Sequence, residues 1–309
     1  MASRTVETLA IVVVNYGSSA LIERNLAPLA TALPEAIVVV VDNRTDDGER
    51  AQITALTALH GWLGCYPDSN LGFGTGVNRG AALALAAGAT HLLILNPDAE
   101  ITAPAVRSLL ARSIAEPGVV YGPRIVRSDG SVWFAGSDLH LADGRLRNPA
   151  RRGNAVVEPW LTGACLLVDR ELWQVVGGFD DDYFLYWEDV DLSHRVLAVG
   201  GRLVLCAEIS AVHDEGGTHA DARLGVRRRS DTYYRYVIRN RLLFAAKHLD
   251  EAGYRAWLRN SRTVAWETLL QGGRRQFLRS PELLLLGWRA LREGRRLAAR
   301  ARLRARPQR

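Results

Sequence analysis

A short acidic segment follows one of the apolar runs of the chain. Residues 96–100 (NPDAE) place Asp98 and Glu100 two positions apart. Carboxylates in such a place can hold Mg²⁺ or Mn²⁺, hard cations that prefer oxygen ligands. A turn that caps the next helix explains the same residues, since Asn, Pro and Asp are common in turns. The segment is therefore a candidate metal site with a structural alternative.

A second acidic segment, residues 187–191 (WEDVD), follows the aromatic-rich stretch 183–186 (YFLY). Glu188, Asp189 and Asp191 lie within four positions. A carboxyl group buried among aromatic rings has a raised pKa, which suits it to accept a proton from a hydroxyl group near neutral pH. Acidic residues at a helix N-terminus are also favoured by the helix dipole, so a purely structural account remains.

One histidine follows a predicted strand at the motif 212–214 (VHD). The neutral imidazole of His213 can complete the coordination of a metal ion at the edge of a sheet. His219 is a competitor for this role, and a single histidine is more often structural. The motif therefore indicates a metal ligand only in combination with the other candidate motifs.

Residues 68–80 (DSNLGFGTGVNRG) form a glycine-rich segment that leads into a predicted helix. Val77 breaks the GxGxxG pattern, so a dinucleotide-binding fingerprint is not supported, and the chain contains no GKS or GKT phosphate-binding loop. Glycines at this place allow the backbone to approach a nucleotide or diphosphate, with Asn70 and Asn78 as polar contacts. A flexible loop is the alternative.

Apolar runs and helical stretches alternate along the first hundred residues, which is typical of parallel strands covered by helices. The runs are short and apolar, as strands buried on both faces are. We predict strands at 9–15, 36–42, 62–66 and 91–95, and helices at 19–33 and 76–87. Open α/β sheets bind ligands at the carboxyl ends of their strands, so the candidate residues are expected along that edge.

The later part of the chain predicts a different arrangement. Asp129-Gly130 and Asp143-Gly144 indicate short hairpins beside the main sheet, and residues 145–153 (RLRNPARRG) are predicted as a loop. Further helices are predicted at 105–115 and 188–199, and a strand at 202–206. From Asp231 onwards every segment is predicted to be helical.

The charge of the chain is divided unevenly. The 309 residues have a net charge of +6, but residues 1–222 carry −11 and residues 223–309 carry +17. A hydrophobic content of 48% excludes a mainly disordered or fibrous protein. The spacing of the three cysteines fits neither a disulfide framework nor a CxxC metal site, so free thiols are expected. We predict a folded domain at 1–222 and a helical, basic region at 223–309.

The order of the motifs is more specific than any one of them. Strands ending in Asn15-Tyr16 and Asp42-Asn43 are followed by NLGFGTGVNRG (70–80), NPD (96–98), GACLLVDR (163–170), GGFDDDYFLYWEDVDLSHR (177–195) and VHD (212–214). In this order, over residues 8–245, the chain resembles glycosyltransferase family 2, and more narrowly its bacterial rhamnosyltransferase branch.

The resemblance implies an α/β fold of the GT-A (Rossmann-like) type, with a mainly parallel central sheet flanked by helices, and the residues themselves add the C-terminal helical, basic extension. It also implies a nucleotide-sugar donor, a divalent metal (Mg²⁺ or Mn²⁺) and inversion at the anomeric carbon by a single displacement. Asp98 matches the metal-binding carboxylate of the family's Asp-x-Asp motif, and His213 matches the later histidine at the same ion. Asp189 matches the general base, with Glu188 and Asp191 supporting it.

The resemblance places the donor along the strand edge. Asp42 and the neighbourhood of Asn15 match contacts to the base and ribose, and Thr162 and Gly163 are expected near the transferred sugar. Asn96 replaces the first Asp of Asp-x-Asp, so weaker or more water-mediated metal binding is expected. The expected donor contacts are Asn15, Tyr16, Asp42, Asn43, Asn70, Gly72, Asn78, Asn96, Thr162 and Gly163.

The basic C-terminal region suggests a partner. Leu283–Leu286, Trp288 and Leu291 form an apolar patch, and arginines follow it in rapid succession from Arg289 to Arg306. Such a segment can lie on an anionic membrane surface, near a polyprenyl-diphosphate-linked glycan acceptor. No apolar run is long enough to cross a bilayer, and no secretory signal is evident, so a peripheral position on the cytoplasmic side of the membrane is expected. A solvated helical face is the alternative.

The favoured activity is transfer of L-rhamnose from dTDP-rhamnose. Transfer from a UDP-sugar, such as galactofuranose, glucose or N-acetylglucosamine, is the alternative within the same fold. An arginine-rich region of +17 also permits an interpretation as a nucleic-acid-binding protein. No recognised nucleic-acid motif accompanies it, so no nucleic-acid partner is expected. A nucleotide-sugar-binding protein without activity is disfavoured by the Glu188-Asp189 pair.

Overall fold

The computed structural model describes residues 7–151, 153–213 and 229–305, apart from the side chains of residues 151 and 305. The chain divides into two compact units. The first unit comprises Met1–Gly136, Trp160–Phe184 and Glu188–Asp214. The second comprises Ser137–Pro159, Leu185–Trp187 and Glu215–Arg309. The predicted domain boundary at residues 222 and 223 lies outside the described residues.

The helices and strands follow one another as the alternation of the sequence predicts in the first hundred residues. The strands are β1 (Leu9–Asn15), β2 (Ile37–Asp42), β3 (Leu63–Cys65), β4 (His91–Leu95), β5 (Ala99–Glu100), β6 (Val119–Val126), β7 (Val132–Phe134), β8 (Ser137–His140), β9 (Arg145–Arg147), β10 (Val157–Trp160), β11 (Cys165–Asp169) and β12 (Arg202–His213). The helices are α1 (Ser19–Ala32), α2 (Asp47–His60), α3 (Phe73–Ala86), α4 (Ala103–Ala115), α5 (Arg170–Val176), α6 (Glu188–Ala198), α7 (Asp231–His248), α8 (Glu251–Leu270), α9 (Gln276–Arg279) and α10 (Glu282–Ala305).

The first unit is built on one large sheet with the strand order β3-β2-β1-β4-β11-β6-β12-β5, and β7 pairs with β6. β3, β2, β1 and β4 run parallel, as do β6 and β12. β11 runs antiparallel to both of its neighbours, and β5 antiparallel to β12. The sheet is therefore mainly parallel, which confirms the predicted architecture.

Both faces of this sheet are covered by helices. Ile11 of β1 shares a buried core with Ile22 of α1 and Ile53 of α2. Its neighbour Val12 points to the other face, where it shares a second core with Val77 of α3. Successive side chains of a strand point to opposite faces, so a strand covered on both sides must be apolar throughout. This explains the unbroken apolar runs at β1, β2 and β4.

The second unit contains a small three-stranded sheet, ordered β10-β8-β9, and the four helices α7–α10. Ile238 of α7, Leu269 of α8 and Leu283 of α10 share one buried core. The helical C-terminal region is thereby confirmed for the described residues. Among these residues, the structure shows no helix that is both long and apolar enough to span a bilayer.

Several elements differ from the prediction. The loop predicted at 145–153 is wrong in part, because Arg145–Arg147 pairs with β8 and Pro149–Arg151 forms a short 3₁₀ helix. β12 continues to His213, beyond the predicted end at Cys206, through an irregularity in its pairing with β6 between Cys206 and Ser210. The hairpins at both Asp-Gly turns are present, and the three cysteines are free thiols.

Candidate active site

Polar residues end the parallel strands along one edge of the large sheet. Asn15 at the end of β1 pairs in register with Asp42 at the end of β2. The amide of Asn43 then donates a hydrogen bond to the carbonyl of Asn15 at 2.8 Å. β4 ends immediately before Asn96. The candidate residues therefore lie along the carboxyl edge, as the alternation of strands and helices predicts.

The carboxylate of Asp42 is completely buried and both of its oxygens are engaged. Oδ1 accepts a hydrogen bond from Asn15 Nδ2 at 3.1 Å, and Oδ2 accepts one from Arg50 Nε. Asn15 Nδ2 also lies 3.0 Å from Glu49 Oε1. Sequence reasoning missed Glu49 and Arg50. The sequence feature that could have identified them is the charged first turn of α2, a helix that starts five residues after β2.

Two asparagines hold the glycine-rich segment. Asn43 accepts a hydrogen bond from the amide of Leu71 at 2.9 Å and donates one to the carbonyl of Gly72 at 2.8 Å. Asn70 Oδ1 accepts a hydrogen bond from the Gly72 amide at 2.9 Å. Gly72 has φ of +84°, and a Cβ there would lie 2.2 Å from the carbonyl oxygen of Phe184. This segment is thus an ordered connection into α3 that requires glycine at position 72.

The other glycines of the segment serve helix packing. A Cβ at Gly80 would lie 2.6 Å from Val12 Cγ1, and one at Gly76 would lie 3.0 Å from Val14 Cγ1. Without these Cβ atoms α3 can approach β1 closely. Asn78 on the same helix donates a hydrogen bond to the carbonyl of Phe179 at 2.7 Å and accepts one from its amide at 2.8 Å. Its side chain therefore anchors the chain at Phe179.

Asp98 and His213 come together at the end of the sheet. The short strand β5 pairs with the end of β12, with His213 opposite Ala99. Asp98 Oδ1 lies 3.1 Å from His213 Nε2, and their side chains are 18% and 8% exposed. Glu100, the second carboxylate of the segment, is 56% exposed and lies 3.9 Å from Arg24. Only the first of the two carboxylates faces the histidine.

Asn96 adds a third polar side chain to this pair. Its Nδ2 lies 3.4 Å from His213 Nε2, and its Oδ1 is buried without a hydrogen-bond partner among the described residues. An oxygen of this kind suits a hard cation, as does the Asp98 carboxylate. Within the described part of the chain, no group of three His, Cys, Asp or Glu residues is placed to hold a metal. The donors present fit a cation that takes its remaining ligands from water and a diphosphate.

Trp133 lies against the histidine ring, with the ring centroids 4.8 Å apart. Sequence reasoning did not identify this contact, because it depends on β7 folding back onto β6 after the Asp129-Gly130 turn. Asp214 and the competing His219 lie outside the described residues.

The carboxylate of Asp189 lies in the first turn of α6. Its Oδ2 accepts a hydrogen bond from the Gly163 amide at 3.1 Å, and its Oδ1 accepts one from the Val190 amide at 2.8 Å. Burial raises the pKa of Asp189 to about 6, although these amides favour the charged form and oppose the rise. A carboxylate with this pKa is ionised, and able to accept a proton, at neutral pH.

Its neighbours have different environments. Glu188 is 6% exposed, and its Oε2 has no hydrogen-bond partner among the residues described. Burial, and next the charge of Asp189, raise the pKa of Glu188 well above its usual range. Asp191 is buried and accepts a hydrogen bond from Arg195 Nε at 2.7 Å in an ion pair one helical turn away. Glu188 therefore holds its proton to higher pH than an ordinary Glu side chain, and Asp191 is held by an ion pair within α6.

The segment Thr162–Ala164 is hydrogen-bonded both to the segment that carries Asp98 and to Asp189. The Asn96 amide donates a hydrogen bond to the carbonyl of Ala164 at 2.9 Å. Adjacent to it, the Gly163 amide donates to Asp189. Thr162 is buried, whereas Tyr16 on the β1 edge is 54% exposed. One backbone segment therefore hydrogen-bonds both to Asn96 of the candidate cation site and to the carboxylate of Asp189.

Comparison with known proteins supports this picture. A family model described as glycosyl transferase family 2 matches residues 10–188. The N-acetylglucosaminyl-diphospho-decaprenol L-rhamnosyltransferase of Mycobacterium tuberculosis is 32% identical over 243 residues, which cover 67% of this chain and 76% of that protein. The dTDP-rhamnosyl transferase RfbF of Shigella flexneri is 26% identical over 235 residues, covering 73% and 76%. These relatives support the bacterial rhamnosyltransferase branch that the motifs predicted.

A solved structure shows the same fold. The crystal structure of GalNAc-T7 with UDP, GalNAc and Mn²⁺ superposes with a TM-score of 0.54 at 15% identity. The match covers 88% of this chain and spans 58% of the GalNAc-T7 chain. The likeness confirms the predicted GT-A architecture, a mainly parallel sheet flanked by helices. Since the family model matches more than half of the sequence, the chain belongs to glycosyltransferase family 2 and is a glycosyltransferase.

Proposed function

We propose that this glycosyltransferase transfers L-rhamnose from dTDP-rhamnose to a hydroxyl group of a glycan carried on a polyprenyl diphosphate. One observation carries the catalytic part of the proposal. The segment Thr162–Ala164 hydrogen-bonds to Asn96, beside the Asp98–His213 pair, and to Asp189. The sugar and the acceptor are supported by the names of the two relatives, which act as rhamnosyltransferases.

Asp189 is proposed as the general base. An acceptor hydroxyl must lose its proton as its oxygen attacks the anomeric carbon, and Asp189 is ionised at neutral pH. The amides of Gly163 and Val190 fix the orientation of its carboxylate. The raised pKa of the neighbouring Glu188 limits its repulsion of the charged form of Asp189. Direct attack by the acceptor oxygen, with no covalent enzyme intermediate, inverts the configuration at the anomeric carbon.

Asp98, His213 and Oδ1 of Asn96 are proposed to hold the divalent metal, Mg²⁺ or Mn²⁺. When bound, such a cation neutralises the negative charge that develops on the departing nucleoside diphosphate. Asn96 contributes no charge, so the site is weaker than one built from two carboxylates, and the donor diphosphate has to complete it. The Mn²⁺ in the GalNAc-T7 structure supports a divalent metal in this fold.

The donor nucleotide is proposed to lie along the ends of β1 and β2. Asn15, Asp42 and Asn43 form an ordered polar edge there, and the exposed Tyr16 ring offers a surface for a base. The rigid backbone around Gly72 is proposed to approach the donor, together with Asn70. Thr162 and Gly163 lie next to the proposed base and are assigned to the transferred sugar.

The acceptor determines where the enzyme works. A glycan on a polyprenyl diphosphate is anchored in a bilayer, so the enzyme must act at a membrane surface. We propose peripheral attachment on the cytoplasmic face, with residues 1–222 as the catalytic domain and residues 223–309 as the attachment region. The excess of arginine in the latter region supports this division.

A donor and acceptor screen tests the proposal. The purified full chain is incubated with Mn²⁺ and a polyprenyl-diphosphate-linked N-acetylglucosamine, and product formation is compared among donors. We expect dTDP-rhamnose to give product at least about 100-fold faster than UDP-galactofuranose, UDP-glucose or UDP-N-acetylglucosamine, since a site that hydrogen-bonds its substrate rejects an analogue with mismatched hydroxyl groups by at least this factor. Faster transfer from a UDP-sugar would reject the donor assignment and retain the enzyme class.

A further inference from the structure

A groove of about 550 Å³ lies between α8 and α10 in the second unit. Its buried or half-buried lining is aliphatic, with Ala265 and Leu269 from α8 and Leu291 from α10. A Cβ at Gly287 would lie 2.7 Å from Leu269 Cδ1, so glycine lets the two helices approach closely beneath the groove. The volume is within the range of protein pockets that bury organic ligands.

The mouth of the groove exposes large apolar side chains. Trp266 of α8 is 45% exposed, and Leu284 and Trp288 of α10 are 49% and 55% exposed. Trp266 also stacks on Phe277 with a centroid distance of 5.2 Å, next to Leu278, which is 87% exposed. Single exposed apolar residues are ordinary, but a contiguous patch of them marks an interaction surface.

Arginines line the same surface. Arg262, Arg292 and Arg296 border the groove, and none of them forms an ion pair with a carboxylate in the described part of the chain. The guanidinium of Arg292 lies 5.3 Å from the centre of the Trp288 ring. A second depression of about 520 Å³ continues from these residues towards Arg289 and Arg300. The apolar groove is thus bordered by cationic groups available to an anion.

The acidic residue of this surface is turned to other partners. Glu293 also lines the second depression, but its carboxylate lies 3.1 Å from Arg235 Nε and 3.4 Å from Arg239 Nε. The groove therefore joins aliphatic and aromatic surface to positive charge.

We propose that the groove between α8 and α10 is the docking site of this chain on an anionic phospholipid bilayer. Acyl-chain segments enter the aliphatic groove, Trp266 and Trp288 lie at the level of the headgroups, and the arginines contact lipid phosphates. Amphipathic surfaces of this composition bind membranes through apolar burial and charge together. The proposal rests on the proposed peripheral attachment through residues 223–309 and names the surface that makes it, and it does not depend on which sugar is transferred.

This surface differs from the one that the sequence predicts. Leu283, a member of the predicted patch on α10, is completely buried in the helical core. Arg302 donates hydrogen bonds to the carbonyls of Leu249 and Asp250, so it is held within the unit. Trp266 and Arg262 come from α8, which the sequence prediction did not include. Arg306 lies outside the described residues.

A nucleic acid fits the surface less well. Arginines and tryptophans can contact phosphates and bases, but a nucleic acid has no group that fills a groove floored by Ala265, Leu269 and Leu291. A hydrocarbon chain does fill it. The aliphatic floor therefore favours lipid.

Vesicle binding by the full chain tests the proposal. Flotation with phosphatidylcholine vesicles, with and without phosphatidylglycerol, gives an apparent Kd for the wild type, R292Q, R296Q, W288S and R255Q. Arg255 lies on α8, away from the groove, and is paired with Glu251 at 2.7 Å, so R255Q is a control with the same change in charge. All of these side chains are on the surface, and an unchanged thermal midpoint verifies folding.

We expect the wild type to bind vesicles only when they contain phosphatidylglycerol. R292Q and R296Q should each weaken binding about fivefold, the effect of one basic residue at an anionic surface. W288S should weaken it by a similar factor, whereas R255Q should change it by less than about twofold.

Three results would overturn the proposal. The first is the absence of vesicle binding, or an equal loss in R255Q and R292Q, which would indicate net charge alone. The second is tight binding of an oligonucleotide that depends on Arg292 but not on Trp288. The third is a concentration-dependent dimer that W288S dissociates in the absence of lipid, which would make the groove an interface between copies of the chain.

Discussion

The backbone amide of Gly163 donates a hydrogen bond to Oδ2 of Asp189 at 3.1 Å. Ala164, the next residue, accepts a hydrogen bond from the amide of Asn96. The loop that enters β11 therefore bonds through its backbone to the start of α6 and to the end of β4. The same loop therefore holds the carboxylate of the proposed base through the Gly163 amide, and the backbone beside the proposed metal ligands through the Ala164 carbonyl.

Replacement of Asp189 by Asn tests the proposed base. D189N retains the shape of the side chain but cannot accept a proton, so we expect transfer to fall by at least about 1,000-fold, within the range of general base catalysis. Donor binding should remain within about threefold of the wild type, because Asp98 and His213 are untouched. Rates of transfer and calorimetric titration with dTDP-rhamnose measure the two quantities.

The exposed Asp182, seven residues earlier, provides the control, and D182N should transfer at the wild-type rate. Near-normal turnover by D189N would remove Asp189 from the role of base.

The pH dependence of transfer tests the electrostatic environment of Asp189. Burial raises its pKa to about 6, so below this pH the carboxyl is protonated and cannot act as a base. We expect kcat to fall about tenfold for each pH unit below 6 and to be nearly constant from pH 7 to 8. Rates measured at saturating donor and acceptor test this expectation. A rate that remains constant down to pH 4.5 would indicate a base with an unshifted pKa.

The raised pKa of Glu188 predicts a pH-dependent cost in stability. The folded protein keeps Glu188 protonated above 4.5, the usual pKa of a Glu side chain, whereas the unfolded chain releases the proton. The unfolded state is therefore favoured progressively as the pH rises from 4.5 towards the folded pKa, by up to about 1.4 kcal/mol per pH unit. E188Q removes this titration. Its free energy of unfolding relative to wild type should therefore increase as the pH rises from 5 towards 7.

Urea denaturation at several pH values measures this difference. Glu171 is exposed in the first turn of α5, and E171Q should show a difference below about 0.5 kcal/mol at every pH. A pH-independent difference for E188Q would indicate that Glu188 is ionised in the folded protein.

Much of the first unit was predictable because a strand buried on both faces must be apolar throughout. β1, β2 and β4 satisfy this condition, and their polar ends identified the edge of the site. β6 was missed because Gly122 and Pro123 interrupt its apolar run, and Pro is unusual within a strand.

Other contacts depend on tertiary packing and have no local pattern. Arg50 reaches Asp42 only because α2 packs beside β2, and Trp133 reaches His213 only because β7 folds back onto β6. The pairing of His213 with Asp98 likewise requires the two-residue strand β5, which is too short to recognise from sequence. The order of the motifs predicted that Asp98 and His213 belong to one site, whereas hydrophobic periodicity and turn residues alone did not.

Replacement of Asp98 by Ala tests the proposed metal site directly. D98A removes the only carboxylate beside His213 in the described structure, so we expect loss of detectable Mn²⁺ binding and a fall in transfer of about 100-fold or more. Mn²⁺ binding is measured by electron paramagnetic resonance in the presence of dTDP. E100A is the control, because Glu100 is 56% exposed beside Arg24. Activity that is unchanged in D98A and in EDTA would reject the metal role.

Substitutions at Gly72 and Gly61 distinguish the cost of backbone strain from the cost of a steric clash. Both have positive φ, +84° and +67°, but a Cβ at Gly61 meets nothing within 4 Å, whereas one at Gly72 would lie 2.2 Å from the carbonyl oxygen of Phe184. G61A should therefore lower the free energy of unfolding by only about 1 kcal/mol, which is the cost of a left-handed conformation for a residue other than glycine. G72A should lower the free energy of unfolding by about 3 kcal/mol or more, because the Phe184 carbonyl has to move and its hydrogen bond from the Phe73 amide breaks.

The same two variants should also differ in activity. Phe184 lies four residues before Glu188, so G72A should slow transfer, and G61A should not. Denaturant titration and transfer rates measure both effects, and equal behaviour of the two variants would contradict the close approach at Gly72.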